Sequence, residues 1–134
     1  MTEEKLSGWL LRNIVFEAPD MADGQMDVFR DQSVTVVEEQ EGLVILEATD
    51  SLFYEDDGGR NAIASVTFRS FPVSDVDSES EDALKKEASI VWRVASFIYS
   101  FMTNMALGTP VVLSPTILSE ERRSKPVFSF DVDR

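Results

Sequence analysis

Carboxylates are the most numerous polar groups in this chain, so they are the first candidates for chemistry. There are 25 Asp and Glu against 12 Lys and Arg, with no histidine and no cysteine. Without histidine the usual general base, the Ser-His and Cys-His pairs, and the commonest ligand of zinc, copper and nickel are missing. Without cysteine there is no thiolate chemistry and no disulfide framework. Asp20, Asp23, Gly24, Asp27 and Asp31 form one acidic constellation. Its spacing misses the alternating Asp/Asn pattern of a calcium loop, and no glutamate closes it in register. Glu55-Asp56-Asp57-Gly58-Gly59 forms another. Its paired glycines read as a hairpin turn, and nothing in the sequence buries its carboxylates for acid–base work. There is no glycine-rich phosphate loop, no Gly-x-Ser-x-Gly elbow and no Ser-x-x-Lys dyad. The expectation is a chain with no catalytic residue, no metal site and no cofactor.

The charge is uneven. The formal net charge is −13, and between Asp20 and Asp57 twelve acids face one base, Arg30. Such a surface excludes nucleic acid as a natural partner. It reads either as a solubilising face or as a docking surface for a basic partner. Met1 to Lys5 is acidic and lacks an apolar signal core, which implies a cytoplasmic protein.

A length of 134 residues suits one domain, 1–134. Four strands are expected first. Trp9 to Ala18 is apolar on both faces and is ended by Pro19. A second strand lies within Asp27 to Glu38, and Gln40 to Gly42 is a short connection. Leu43 to Tyr54 follows, with Val44, Leu46, Ala48 and Leu52 on one face. Arg60 to Phe71 is the fourth, with Ala62, Ala64, Val66 and Phe68 on its apolar face. Short connections make neighbours antiparallel. Pro72 to Ser80 is an acidic linker.

One long helix then dominates. Ser78 with Glu81 fits a capping box, and Gly108 and Pro110 stop the helix. From Asp82 to Leu107 it would run roughly 39 Å at 1.5 Å per residue. Leu84, Ala88, Val91, Ala95, Ile98, Met102 and Met105 form one apolar stripe. Ile90, Val94, Phe97 and Phe101 form a second, widened by Trp92 and Tyr99. A helix on one sheet needs only about 100° of apolar face. This one has far more, so a second partner is expected and the chain should not be a monomer. Ser89, Arg93, Ser96 and Ser100 lie on the narrow polar stripe and are candidates for a close helix–helix interface. Phe97, Tyr99, Phe101 and Met102 would suit a permissive apolar groove. The helix is too polar to span a membrane. Beyond it, TPVVLSPTIL is held extended by Pro110 and Pro115, and SEERRSK is charged. Val127 to Asp133 alternates and reads either as an edge strand, a docking tail or a frayed terminus, within a segment 119–134 that is either flexible or strand.

These residues resemble a family, the SecB export chaperones. Ile14-Val15-Phe16-Glu17-Ala18-Pro19-Asp20 looks like the family's opening strand, which ends in Phe-Glu-Ala-Pro and a small polar residue. Four strands then precede one dominant helix. Gly108 to Ile117 looks like the family's Gly-x-Pro-x-Leu-x-Leu-x-Pro segment. The similarity covers roughly 9–118 and points to a divergent Gram-positive branch. It implies an α+β subunit with a four-stranded antiparallel sheet and one long helix packed beside it. It also implies a homo-oligomer, either a dimer or a dimer-of-dimers tetramer with helices sandwiched between sheets. Members hold unfolded polypeptide clients in an apolar groove without ATP and pass them to the SecA motor through an acidic sheet face. For that face the resemblance offers Glu17 and Asp20. Asn13 stands where the family places an aspartate, and Pro126 disfavours the family's C-terminal helix.

Two functional classes remain open. One is a holdase-type module for unfolded or extended apolar polypeptide, serving protein export. The other is a structural or adaptor oligomer whose apolar helix face is used only for self-assembly. They differ in whether apolar surface stays open after assembly.

Overall fold

The computed structural model describes residues 8–17, 24–56, 59–107, 113 and 125–132. The described chain is α+β, with an antiparallel sheet and two helices. The strands are β1 (Trp9–Phe16), β2 (Gly24–Gln40), β3 (Leu43–Asp56), β4 (Gly59–Ser70), β5 (Val73–Ser74) and β6 (Phe128–Val132). The helices are α1 (Glu81–Glu87) and α2 (Ser89–Leu107).

The sheet order is β1-β4-β3-β2-β6, with β5 paired to β3, and every pairing is antiparallel. Among the described residues there are thus six strands rather than four. The two additions are β5, inside the expected linker, and β6, which makes the alternating C-terminal segment an edge strand. β1 pairs with β4 rather than with its sequence neighbour β2, so it closes the opposite edge. The β2–β3 hairpin turns on Glu41 and Gly42, both at positive φ, 53° and 78°. A two-residue loop needs this conformation to match the strand twist. Asp56 pairs with Gly59, while residues 57 and 58 of the expected turn lie outside the described residues.

The core lies between one sheet face and the helices. Val28 and Val34 from β2, Val44, Leu46, Ala48 and Leu52 from β3, and Ala64, Val66 and Phe68 from β4 meet Leu84, Ala88, Val91, Trp92, Ala95 and Tyr99. Leu113 joins this core. One expected core residue is displaced. Ala62 is exposed and Ile63 is buried, because a register shift between Leu52 and Phe53 inserts Ile63 opposite the pair. An extra residue in one strand reverses which face the residues beyond it occupy.

The single long helix is a second correction. Ala88, with φ −85° and ψ 12°, separates α1 from α2. The carbonyl of Lys85 explains the break. A continuous helix would offer it to the Ser89 N–H, but here it accepts the Trp92 indole N–H at 3.1 Å. A side chain inserted into the ladder of helix bonds is a known cause of a kink. The 19 residues of α2 span roughly 28 Å. The N-cap is Ser80, whose hydroxyl accepts from the Ala83 N–H at 3.2 Å, rather than Ser78.

Candidate functional site

Helix α2 has two faces of opposite character. On its inner face Val91, Trp92, Ala95, Ser96, Tyr99 and Thr103 are buried. On its outer face Ile90, Val94, Phe97, Phe101 and Met105 are exposed, Phe97 by 74%, Phe101 by 58% and Met105 by 72%. Their spacing of four, three, four and four aligns them in one ridge along the helix. Isolated exposed apolar side chains are ordinary, but a contiguous apolar ridge on a soluble chain marks an interaction surface.

A buried polar cluster fixes which face of α2 meets the sheet. Arg30 on β2 and Asp50 on β3 are both fully buried. Arg30 Nε donates to Asp50 Oδ1 at 2.9 Å, and Nη2 donates to Oδ2 at 2.6 Å and to the Trp92 carbonyl at 3.2 Å. Gln32 Nε2 donates to Asp50 Oδ2 at 3.3 Å. The Tyr99 hydroxyl donates to the Asp50 carbonyl at 2.6 Å, and its ring lies 5.8 Å from the guanidinium carbon of Arg30. Ser96 Oγ donates to the Trp92 carbonyl at 2.8 Å. Burial pushes the Asp50 carboxyl above its ordinary range, and the Arg30 guanidinium and Gln32 amide pull it back. Burial, and then the Asp50 charge, push the Tyr99 phenol well above its ordinary value, so it stays a donor. Sequence reasoning missed this cluster. The signal was available: period-two counting through Val44, Leu46, Ala48 and Leu52 lands on Asp50, a charge on a core-facing position. Arg30 is the only base among the twelve acids of its stretch.

The expected groove residues divide. Phe97 and Phe101 stand on the open ridge, Met102 is half-buried, and Tyr99 belongs to the core because its hydroxyl serves Asp50. Of the expected helix–helix residues, Ser89 and Arg93 are exposed and Ser100 is half-buried. Ser96 is buried on the inner face of the helix, where its hydroxyl donates to the Trp92 carbonyl. Glu17 is exposed and its backbone N–H donates to the Ile63 carbonyl at 2.8 Å. Asp20 lies outside the described residues.

A second apolar surface is β1. Leu10, Leu11, Ile14 and Val15 are all exposed, and among the described residues the strand pairs on one side only. An apolar edge strand with unpaired backbone groups is a template for another chain.

Neither a family model nor a curated protein matches this chain. Solved structures are similar to it, among them the following two. One is a protein of unknown function from Streptococcus agalactiae, at 11% identity and a TM-score of 0.46, covering 80% of this chain and 93% of that one. The other is the Mycobacterium tuberculosis Rv1957 SecB-like chaperone in complex with a ChAD peptide from the Rv1956 HigA1 antitoxin. That match has 17% identity and a TM-score of 0.42, covering 84% of this chain and 91% of that one. Scores below 0.5 leave the fold and the site of this chain to its own geometry. Among the described residues no group of three or more His, Cys, Asp or Glu is placed to hold a metal ion, and no described helix is long and apolar enough to cross a membrane.

Proposed function

We propose that this chain is a non-enzymatic, SecB-like holdase-type module of the cytoplasm that binds unfolded or extended apolar polypeptide, in protein export. The observation that carries the reading is the outer ridge of α2, where Ile90, Val94, Phe97, Phe101 and Met105 stay exposed although the helix has already filled its side of the core. The motifs around Phe16 and Pro110 add to it. Binding of this kind draws on apolar burial at about 25 cal/mol per Å² and needs no nucleotide. The open edge of β1 adds main-chain pairing for an extended client.

The test is protection of an aggregating, chemically unfolded substrate at stoichiometric ratios without nucleotide. Wild type should suppress aggregation in high salt as well as low. Phe97→Ser should lower protection while the fold is retained. If wild type protects no substrate, the holdase reading is wrong.

The ridge also supports the adaptor reading, because self-assembly through α2 would cover the same side chains. Uptake of an apolar dye by the native oligomer separates the two: a dimer or tetramer that still binds dye keeps surface for clients. Docking of a SecA-like motor through Glu17 and Asp20 would appear as binding that weakens with salt.

A further inference from the structure

Helix α2 is tied to the sheet at two points by bonds that apolar packing does not supply. Arg30 on β2 donates to the Trp92 carbonyl, which is helix backbone. The Tyr99 hydroxyl donates in the other direction, to the Asp50 carbonyl, which is strand backbone. Trp92 and Tyr99 lie two helical turns apart, or about 10.5 Å along the axis. Two ties at that spacing set both the rotation of α2 about its axis and its position along β3. A slide by one turn, ~5.4 Å, or a rotation by one residue, ~100°, takes both beyond hydrogen-bond reach.

The ion pair holds the first tie in place. The β2–β3 register sets Arg30 opposite Leu52 and Asp50 opposite Gln32, so Arg30 and Asp50 are diagonal neighbours on the core-facing side. Asp50 accepts from Nε and Nη2 of Arg30 and from the Gln32 amide, which anchors the guanidinium beneath the helix. The apolar contacts make no such choice. Val91, Trp92, Ala95 and Tyr99 line one face of α2, while Phe97 and Phe101 stand on the other. Both faces would bury well against aliphatic strands, since apolar burial is not directional.

We propose that Arg30 and Asp50, with the Tyr99 hydroxyl as second tie, are positioning residues for the α2 ridge. They decide which face of α2 is displayed and where along the sheet it stands. An apolar core in their place holds the chain folded without displaying the ridge. Loss of client binding then follows if the ridge is the binding surface, as in the holdase reading. The orientation of α2 does not depend on that reading.

Trp92 reports the orientation directly, because it is fully buried on the inner face. The chain has two tryptophans, so Trp9→Phe leaves Trp92 as the only indole. In that parent, Arg30→Met, Asp50→Val and Tyr99→Phe are combined, which removes both ties and leaves no buried charge unpaired. Acrylamide quenching, a thermal melt and protection of a chemically unfolded substrate are measured on the same protein. The combined variant should melt cooperatively with its helix signal intact. Its quenching constant should rise at least threefold as α2 carries Trp92 into water, and its protection should fall at least threefold. Tyr99→Phe alone keeps the Arg30 tie and should leave quenching at the parent value. A cooperatively folded combined variant with parent quenching overturns the proposal, because apolar packing alone then sets the face. If that variant does not melt cooperatively, Arg30→Leu, Asp50→Leu and Tyr99→Phe form the second set. Failure of both sets to fold makes the cluster a requirement of folding and overturns the proposal as well. Should the parent protect no substrate, the holdase reading falls alone, and the rise in quenching still decides the role of Arg30 and Asp50.

Discussion

Replacing Phe97 by serine asks what the outer ridge is for. A phenylalanine presents roughly 200 Å² of surface. At 74% exposure, Phe97 leaves about three quarters of it in water, so covering the side chain would contribute about 4 kcal/mol at ~25 cal/mol per Å². The remaining quarter supports the fold by only about 1 kcal/mol on the same scale. Association and side-chain ordering consume part of the larger figure. The expected loss on assembly is therefore at least ~2 kcal/mol per chain, the size of an interface hot spot. In a symmetric pair the residue counts twice, giving ~4 kcal/mol, or about a thousandfold in the dissociation constant. Light scattering over a range of protein concentrations reads that shift. A thermal melt taken dilute enough that both proteins are monomeric should move by only about 3–5 °C. An unchanged mass together with a fall of more than ~10 °C would place Phe97 in the fold rather than at an interface. Wild type that runs as a monomer at micromolar concentration would refute the assembly reading outright.

The inner face and the β2–β3 turn give four further expectations. Arg30→Met leaves the buried Asp50 without its partner and should cost about 3–5 kcal/mol in denaturant unfolding at neutral pH. Burial already holds the folded pKa of Asp50 above its ordinary value, and loss of Arg30 raises it further. Its contribution is then fully present below the unfolded pKa and lost as pH rises through the folded one, so the variant should be relatively more stable at mildly acid than at alkaline pH. Arg30→Met combined with Asp50→Val should recover most of the loss, since an apolar pair needs no compensation. Tyr99→Phe removes the 2.6 Å bond to the Asp50 carbonyl and should cost about 1–3 kcal/mol while sparing substrate protection, which marks the residue as core. Glu41→Asn should stabilise by about 0.5–1 kcal/mol, because asparagine accepts the positive φ of the hairpin turn more readily.

Much of the fold can be read from residue types alone. The alternation in Leu43 to Tyr54, the short Gln40–Gly42 connection and the two apolar stripes of the helix report local periodicities, and local periodicity is visible in one chain. The failures share a different cause. Ile63 is buried because of a bulge, and a bulge is set by pairing with β3, which no single strand displays. Ala88 breaks the helix because Trp92 reaches back to the Lys85 carbonyl, a side-chain choice that leaves periodicity intact. The pairing of β1 with β4 depends on a connection across the sheet, whereas short hairpins announce themselves. For the site, the ridge was legible as surplus apolar surface. Which of its aromatics face outward was not, since Phe97 and Tyr99 differ by only two positions and their separation rests on Asp50.

That dependence explains how a helix apolar on two sides settles into one orientation. Apolar contacts are nearly indifferent to direction. Turned about its axis, α2 could set Phe97 and Phe101 against the sheet in place of Trp92 and Tyr99, exchanging one apolar face for another. The polar cluster forbids this. Arg30 needs the Trp92 carbonyl and Asp50 presents its own carbonyl to Tyr99, at distances a rotated helix could not keep. A buried ion pair adds little net stability over an apolar pair, but leaving it half-satisfied costs several kcal/mol. The cluster therefore acts chiefly on the difference between the two packings. It holds Val91, Trp92, Ala95 and Tyr99 inward and leaves Phe97 and Phe101 in water, where a partner chain can reach them.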